Sequence, residues 1–375
     1  MGESEHEGRT VTASSPGEAP RSRWRGWFAS TGAPPAWALV RYMVGGLVVA
    51  AALSAALPHQ RATLLAALAG AIVAAAGSAG PSGISRRVAL VAAGSGLVLT
   101  VVAFATGNRP ILAALAMAAV ALVTSLAAAA GPLGALLGFL GSLAYFLVAT
   151  MARVANLFDL VPVRWAAAHI ALGCVGGLLV VLIGTAWRRR HEPDELKTAR
   201  APLPLAPMWA ALRSFDEHAR DGVRRAIPLA ILMFFFQREG GRDAFWIFFA
   251  AYIVLLTTGK APKELASVRV AATLFGVVAL AVASLVVPDK VLFSLGVVIL
   301  FGGIGLSPPY PLVGGGLTSI GSILLAGAPT GDVTGWAGHR LLDTILGCAI
   351  AVAATYLLWP RDREAEETVP AAAAT

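Results

Sequence analysis

The strongest constraint in this sequence is a ladder of apolar runs, most of them close to the length that crosses a hydrocarbon core. Such a crossing takes about 20 helical residues at about 1.5 Å each. In the first half the runs are Ala36–Leu57, Ala62–Ser78, Val88–Thr106, Pro110–Ala130, Pro132–Ala152 and Trp165–Trp187. In the second they are Arg225–Phe236, Ala244–Thr258, Val268–Val287, Val291–Leu306, Leu312–Ala328 and Leu341–Trp359. Only 13% of the residues are charged and 57% are hydrophobic, whereas soluble domains carry about 25% charged residues. The pattern predicts an all-α polytopic transmembrane bundle of about 12 spans, six per half. The first two runs of the second half are short and leave room for a tilted or re-entrant segment.

The chain also repeats itself. The stretch Val163–Arg188 (V-R-W-A-A-A-H-I-A-L-G-C…T-A-W-R) resembles Gly338–Arg361 (G-H-R-L-L-D-T-I-L-G-C…L-L-W-P-R), with Gly173-Cys174 over Gly347-Cys348. Ser85–Gly94 aligns with Ser267–Gly276 without a gap and pairs Arg87 with Arg269. Arg61 matches Arg242, and Gly141-Ser142 matches Gly321-Ser322. A period of half a chain predicts two copies of one unit. An even number of spans per copy makes the copies parallel, related by an axis along the membrane normal.

Basic residues set the orientation. With the N-terminus inside, the inner segments hold Arg21, Arg23, Arg25, Arg86, Arg87, the basic linker after Trp187, Lys260, Lys263 and Arg361. The outer loops are poorer in Lys and Arg, so both termini are expected in the cytoplasm. The expected division is a polar cytoplasmic tail over 1–35, a six-helix repeat over 36–187, a cytoplasmic linker over 188–222, a second repeat over 223–360 and a tail over 361–375. The tail over 1–35 shows no apolar core ahead of a cleavage site. In the linker, Met208, Trp209, Leu212 and Phe215 fall on one helical face. They read as an interfacial amphipathic helix or as a connector on the helix ends.

Soluble chemistries find no footing. Gly94-Ser95-Gly96 has neither the following glycine nor a preceding strand of a dinucleotide loop. No phosphate-binding Gly-Lys-Ser/Thr, paired-cysteine or His-Glu-x-x-His motif occurs. No enzymatic activity, cofactor or metal is expected. The net charge of +8 is scattered among apolar runs, so it fits membrane topology and not a nucleic-acid face.

Three stretches of the second half resemble the fusaric acid resistance (aromatic acid exporter) family of membrane transporters. They are Ala244–Tyr252 (A-F-W-I-F-F-A-A-Y), Val268–Gly276 (V-R-V-A-A-T-L-F-G) and His339–Arg361. The likeness covers roughly Gly222–Arg363. It implies efflux of small organic, often aromatic, carboxylates from the cell across the inner (plasma) membrane. A passive organic-anion channel and a non-transport membrane scaffold or subunit are the alternatives. Membrane lipid and a small organic anion are the expected partners, and proton coupling and a homo-oligomer are compatible with the sequence.

The residues expected to matter are the arginines and aromatics inside or beside the spans. Arg87, Arg269, Arg164 and Arg340 can line an anion path, because a guanidinium pairs bidentately with a carboxylate. All lie near the ends of the apolar runs, where anchoring the chain at the interface is the competing role. Trp246, within the aromatic run Phe245–Tyr252, can offer a stacking face. In the Gly-Cys alignment His169 falls on Asp343, so each sixth helix carries one titratable group for proton coupling. Counted from Arg340, Asp343 lies only about 5 Å inside its helix.

Overall fold

The computed structural model describes residues 30–78, 80–198, 205–239, 242–256, 262–327 and 333–358. Among these residues there is no strand, and nearly all lie in helices. The first half gives α1 (Trp37–Ser54), α2 (Thr63–Ser78), α3 (Ser82–Thr106), α4 (Pro110–Ala128), α5 (Pro132–Val154) and α6 (Val163–Arg189). A short α7 (Leu205–Ser214) lies in the linker. The second half gives α8 (Glu217–Glu239), α9 (Arg242–Leu256), α10 (Pro262–Ser284), α11 (Asp289–Leu306), α12 (Pro311–Gly327) and α13 (Val333–Leu358).

Helix starts follow the prolines. Pro110, Pro132, Pro262 and Pro311 are first residues of helices, where a missing N–H costs nothing. Ahead of α5 the backbone turns through Gly131 at φ 87°, a left-handed conformation that favours glycine.

Among the described residues, eight helices are long and apolar enough to cross a membrane: α1 (18 residues), α2 with its leading turn, α3, α4, α5, α6, and most of α10 and α13. The other four runs expected to span are shorter or more polar as helices. In α9, α11 and α12 the apolar stretches are Ala244–Leu255, Lys290–Leu306 and Pro311–Leu325. In α8 the first turns carry Glu217, Arg220, Asp221, Arg224 and Arg225 ahead of the apolar part.

Glycine sets the closest approaches. Gly173 of α6 faces the Ala66 carbonyl of α2, and Gly347 of α13 faces the Ile247 carbonyl of α9, with no room for a Cβ at either place. At the far end of α6, Arg188 donates to the Gly77 carbonyl in the last turn of α2 (3.3 Å) and to the carbonyl of Gly80 beyond it (3.1 Å). Three residues beyond α6, Glu192 accepts the Ser82 N–H that opens α3 (3.2 Å). Ser82, through its side chain first and this N–H second, with Arg188 and Arg189 nearby, holds the Glu192 carboxyl below its usual range.

The two halves meet along three seams. On the first, α8 lies along α4, where Gly222 abuts Leu122 and Ser125. On the second, α9 meets α5: Phe146 packs edge-on to Phe248 at 4.8 Å and stacks on Tyr252 at 4.7 Å. The Tyr252 hydroxyl is 2.7 Å from Ser142 Oγ. On the third, the start of α1 meets the end of α11, where the Ala36 N–H donates to Gly305 O (2.8 Å). In the linker, α7 turns Met208 and Ala211 onto α4 and leaves Trp209, Leu212 and Phe215 exposed. Met208 thus leaves the apolar face expected for it, because α4 offers it Leu122, Leu126 and Ala129.

Gly347→Ala is expected to lower the unfolding temperature of the purified protein in micelles, by the equivalent of about 1–3 kcal/mol, because a backbone carbonyl cannot yield to a methyl group. Gly94, with nothing within 4 Å of an added Cβ, is the control. Gly94→Ala should leave the temperature unchanged or raise it, since alanine suits a helix interior better by roughly 0.5–1 kcal/mol.

Candidate anion site

The site is built on α9, α10 and α13. Its decisive feature is where α13 begins. The apolar run starts at Leu341, but the helix starts at Val333 and carries Gly335 and Gly338 within it. Arg340 therefore lies about 10 Å along the helix, and Asp343 about 15 Å along it, three times the depth counted from the sequence. Arg340 is 2% exposed and Asp343 is 7% exposed. The expectation that these residues sit near a helix end fails, because the weakly apolar lead V-T-G-W-A-G-H is helical too.

Two aromatic rings of α9 carry the guanidinium groups. Arg340 Cζ stands 4.1 Å from the centroid of Trp246, and Arg269 Cζ 5.5 Å from that of Phe249. The two rings touch edge to face at 6.1 Å. Cation–π contacts of this kind gain in strength when water is excluded. Arg340 lies within electrostatic reach of Arg269, Asp343 and Cys348. Asp343, three residues along α13, shares its helical face. Two guanidinium charges and one carboxylate leave the cluster net positive. Among the described residues, the buried Nε and Nη1 of Arg340 and the Nε of Arg269 have no hydrogen-bond acceptor. Buried donors of that kind normally find partners.

The rest of the aromatic run does other work. Phe245, Phe248 and Tyr252 are buried at the seam with α5. Their spacing turns them to one face of α9, while Trp246 points to Arg340.

The remaining residues singled out from the sequence lie in the first half, apart from this cluster. Arg87 is exposed on α3, and Arg164 is exposed at the start of α6. Arg164 is no counterpart of Arg340: with Gly173 on Gly347, it falls on Gly338, and Arg340 falls on Ala166. Two residues turn a side chain through roughly 200° around a helix. His169 is fully buried with both ring nitrogens engaged. Nε2 lies 2.7 Å from the Pro58 carbonyl, which can only accept, and Nδ1 lies 2.7 Å from Ser54 Oγ.

Three hydroxyls that the sequence reading passed over line the same interior. Thr344 donates to the Arg340 carbonyl (2.8 Å), and Thr273 lies 3.3 Å from Ser319 of α12. All three are at most 2% exposed. A signal was present: R-V-A-A-T (Arg269–Thr273) and R-L-L-D-T (Arg340–Thr344) place a threonine one turn after each arginine.

A chain with eight bilayer-length apolar helices is a multi-pass membrane protein. Residues 229–354 match the family model described as fusaric acid resistance protein-like. The match runs from Leu229 of α8 to Ala354 of α13, so it takes in both arginines of the cluster, Trp246 and Asp343, and it bears out the resemblance read from the sequence. No curated protein and no solved structure matches the chain.

If Trp246 holds Arg340 through its ring, the two should be coupled. A double-mutant cycle of Trp246→Leu and Arg340→Met, read by thermal unfolding in micelles, is expected to give a coupling of about 0.5–2 kcal/mol. Additive effects would show that the ring only fills space.

Proposed function

We propose that this protein transports a small organic anion across the membrane, and that Arg269 and Arg340 receive its carboxylate. The observation that carries the reading is the buried Arg340 guanidinium, with two nitrogens that lack an acceptor among the described residues. A charge at membrane depth costs about 2.5–3.5 kcal/mol or more, so ionisable groups there mark pathways. A planar guanidinium suits a carboxylate, which can take two of its N–H groups at once. Efflux of aromatic acids is the substrate class and direction that the family resemblance suggests. The carboxylate meets the arginines, while Trp246 and Phe249 back the guanidinium groups and hold them in place.

Proton coupling belongs to Asp343 in this reading. An incoming anion competes with the Asp343 carboxylate for Arg340, and the displaced carboxylate takes a proton. His169 is left out, since both its nitrogens are engaged within the first half.

The architecture that goes with this function is about 12 spans in two parallel six-helix repeats, with both termini in the cytoplasm and the protein in the inner (plasma) membrane. Matching helix contacts support the repeat. The pairs α1–α2, α2–α6, α3–α6, α3–α5 and α4–α5 recur as α8–α9, α9–α13, α10–α13, α10–α12 and α11–α12. Glycine contacts recur as well. Gly173 on Ala66 parallels Gly347 on Ile247, and Gly134 on Ala127 parallels Gly314 on Ser307.

Flux of benzoate, an aromatic monocarboxylate, in proteoliposomes of the full chain tests the reading. Arg269→Ala is expected to abolish flux with insertion intact, and Arg269→Lys to restore little of it, because an ammonium lacks the planar fork. Full rescue by Lys would leave only a diffuse charge requirement. Asp343→Asn should keep downhill exchange and lose acceleration by an imposed pH gradient. An Asn variant that still concentrates benzoate as well as wild type would remove Asp343 from the coupling, and downhill flux alone in wild type would make the protein a passive channel.

A further inference from the structure

A duplicated membrane protein offers two places for a route: between the halves, or within one of them. The seams α4–α8 and α5–α9 between the halves are filled, the second with Phe146, Phe245, Phe248 and Tyr252. The interior of each half is the remaining choice, and the two interiors differ in chemistry.

In the second half, buried and half-buried polar side chains follow one another along the facing sides of α10, α12 and α13. They are Arg269 and Thr273, one turn apart on α10; Ser319 on α12; and Arg340, Asp343 and Thr344 on α13. Lys263 Nζ lies 4.3 Å from the ring centroid of Tyr356, which sets the start of α10 beside the end of α13. Counting from that contact along antiparallel helices brings Thr273 to within a turn of Thr344 and Arg269 to within a turn of Cys348. The hydroxyls thus lie between the helix positions of the two arginines. One turn from Thr273, Gly276 rests on the Gly316 carbonyl with no room for a Cβ, so α10 and α12 approach closely beside the hydroxyls.

The first half also buries hydroxyls, among them Ser54, Thr100, Thr124, Ser142 and Thr150, but among the described residues it buries no arginine. At the positions aligned with Thr273, Ser319, Arg340 and Thr344 stand Val91, Phe139, Ala166 and Ile170. Arg87, aligned with Arg269, is exposed. Buried Thr100 gives its hydroxyl to the Gly96 carbonyl one turn earlier (2.7 Å). A small cavity lined by Leu68, Ile72, Val73, Thr100, Leu147 and Cys174 lies in this half, and without a cation beside it such a space gives an anion no substitute for its hydration shell.

We propose that the anion route runs within the second half, past the hydroxyls of Thr273 and Ser319 between Arg269 and Arg340, and that the first half, without a buried arginine, carries no anion. The proposal rests on the anion reading above. The Thr273–Ser319 hydrogen bond uses one of two hydroxyl protons, and the other donates to the anion as it passes between the guanidinium groups. Thr344 spends its proton on the Arg340 carbonyl and fixes the turn that carries the arginine.

The test is benzoate flux in proteoliposomes of full-chain variants. Thr273→Val with Ser319→Ala removes the hydroxyls at nearly constant volume. Flux is expected to fall about ten-fold or more, the scale of a lost hydrogen bond to a charge. Protection of the protein from thermal unfolding by benzoate should persist, because both arginines remain. Thr273→Ser, which keeps the hydroxyl, should restore flux and show that the loss is not misfolding. Thr100→Val, the same change in the first half, should leave flux unchanged. Flux in the double variant equal to wild type, or an equal loss in Thr100→Val, overturns the route while an intact Arg269→Ala effect keeps the function. Unaltered flux in Arg269→Ala overturns both.

Discussion

A guanidinium held about 10 Å along a helix and sealed from solvent must be stabilised by something other than water. Arg340 has part of what it needs: the face of Trp246 and the nearby charge of Asp343. It lies near a second cation, Arg269, which raises the need for negative charge. The second half is arranged around this requirement. Helix α9 supplies two rings for two guanidinium groups, and α13 supplies the carboxylate and a hydroxyl one turn away. Tight glycine contacts at Gly347 and Gly276 bring the helices close enough for the side chains to converge.

The first half meets a simpler demand. Its helices bury alanine and glycine against one another, and its buried His169 is engaged at both ring nitrogens by Ser54 and Pro58. Its outer faces are leucine, valine and isoleucine, which suit lipid. The seam at α5 and α9 joins the first half to the second through stacked rings and the buried Ser142–Tyr252 hydrogen bond. Close-packed seams of this kind favour discrete shifts over gradual deformation.

Much of the fold was legible in the sequence, because bilayer-length apolar runs admit few alternatives to helices. Each expected run coincides with a helix, apart from a few residues at its ends. The span count was harder to read, since α8, α9, α11 and α12 buy their place in the bundle with packing and not with length. Arg269, Arg340, Trp246 and Asp343 were legible as a group. The depth of Arg340 was not, because hydropathy marks where an apolar run begins and says nothing of a helix that starts eight residues earlier through two glycines. Arg164 lies apart from the cluster because the repeat sets it two residues from the position of Arg340, which turns a side chain to the opposite face; Arg87, aligned with Arg269, is exposed on α3. The hydroxyls of Thr273 and Ser319 were illegible singly, since only tertiary packing joins α10 to α12.

The most direct measurement is of the Arg340 side chain itself. In full-chain protein labelled with 15N-arginine in micelles, the Nε–H resonance of Arg340 can be assigned by its loss in Arg340→Lys. Titration with benzoate should shift that resonance saturably and slow its exchange with water, as the anion takes up the buried donors. A resonance that stays unmoved at benzoate concentrations that saturate transport would contradict an anion site at Arg340.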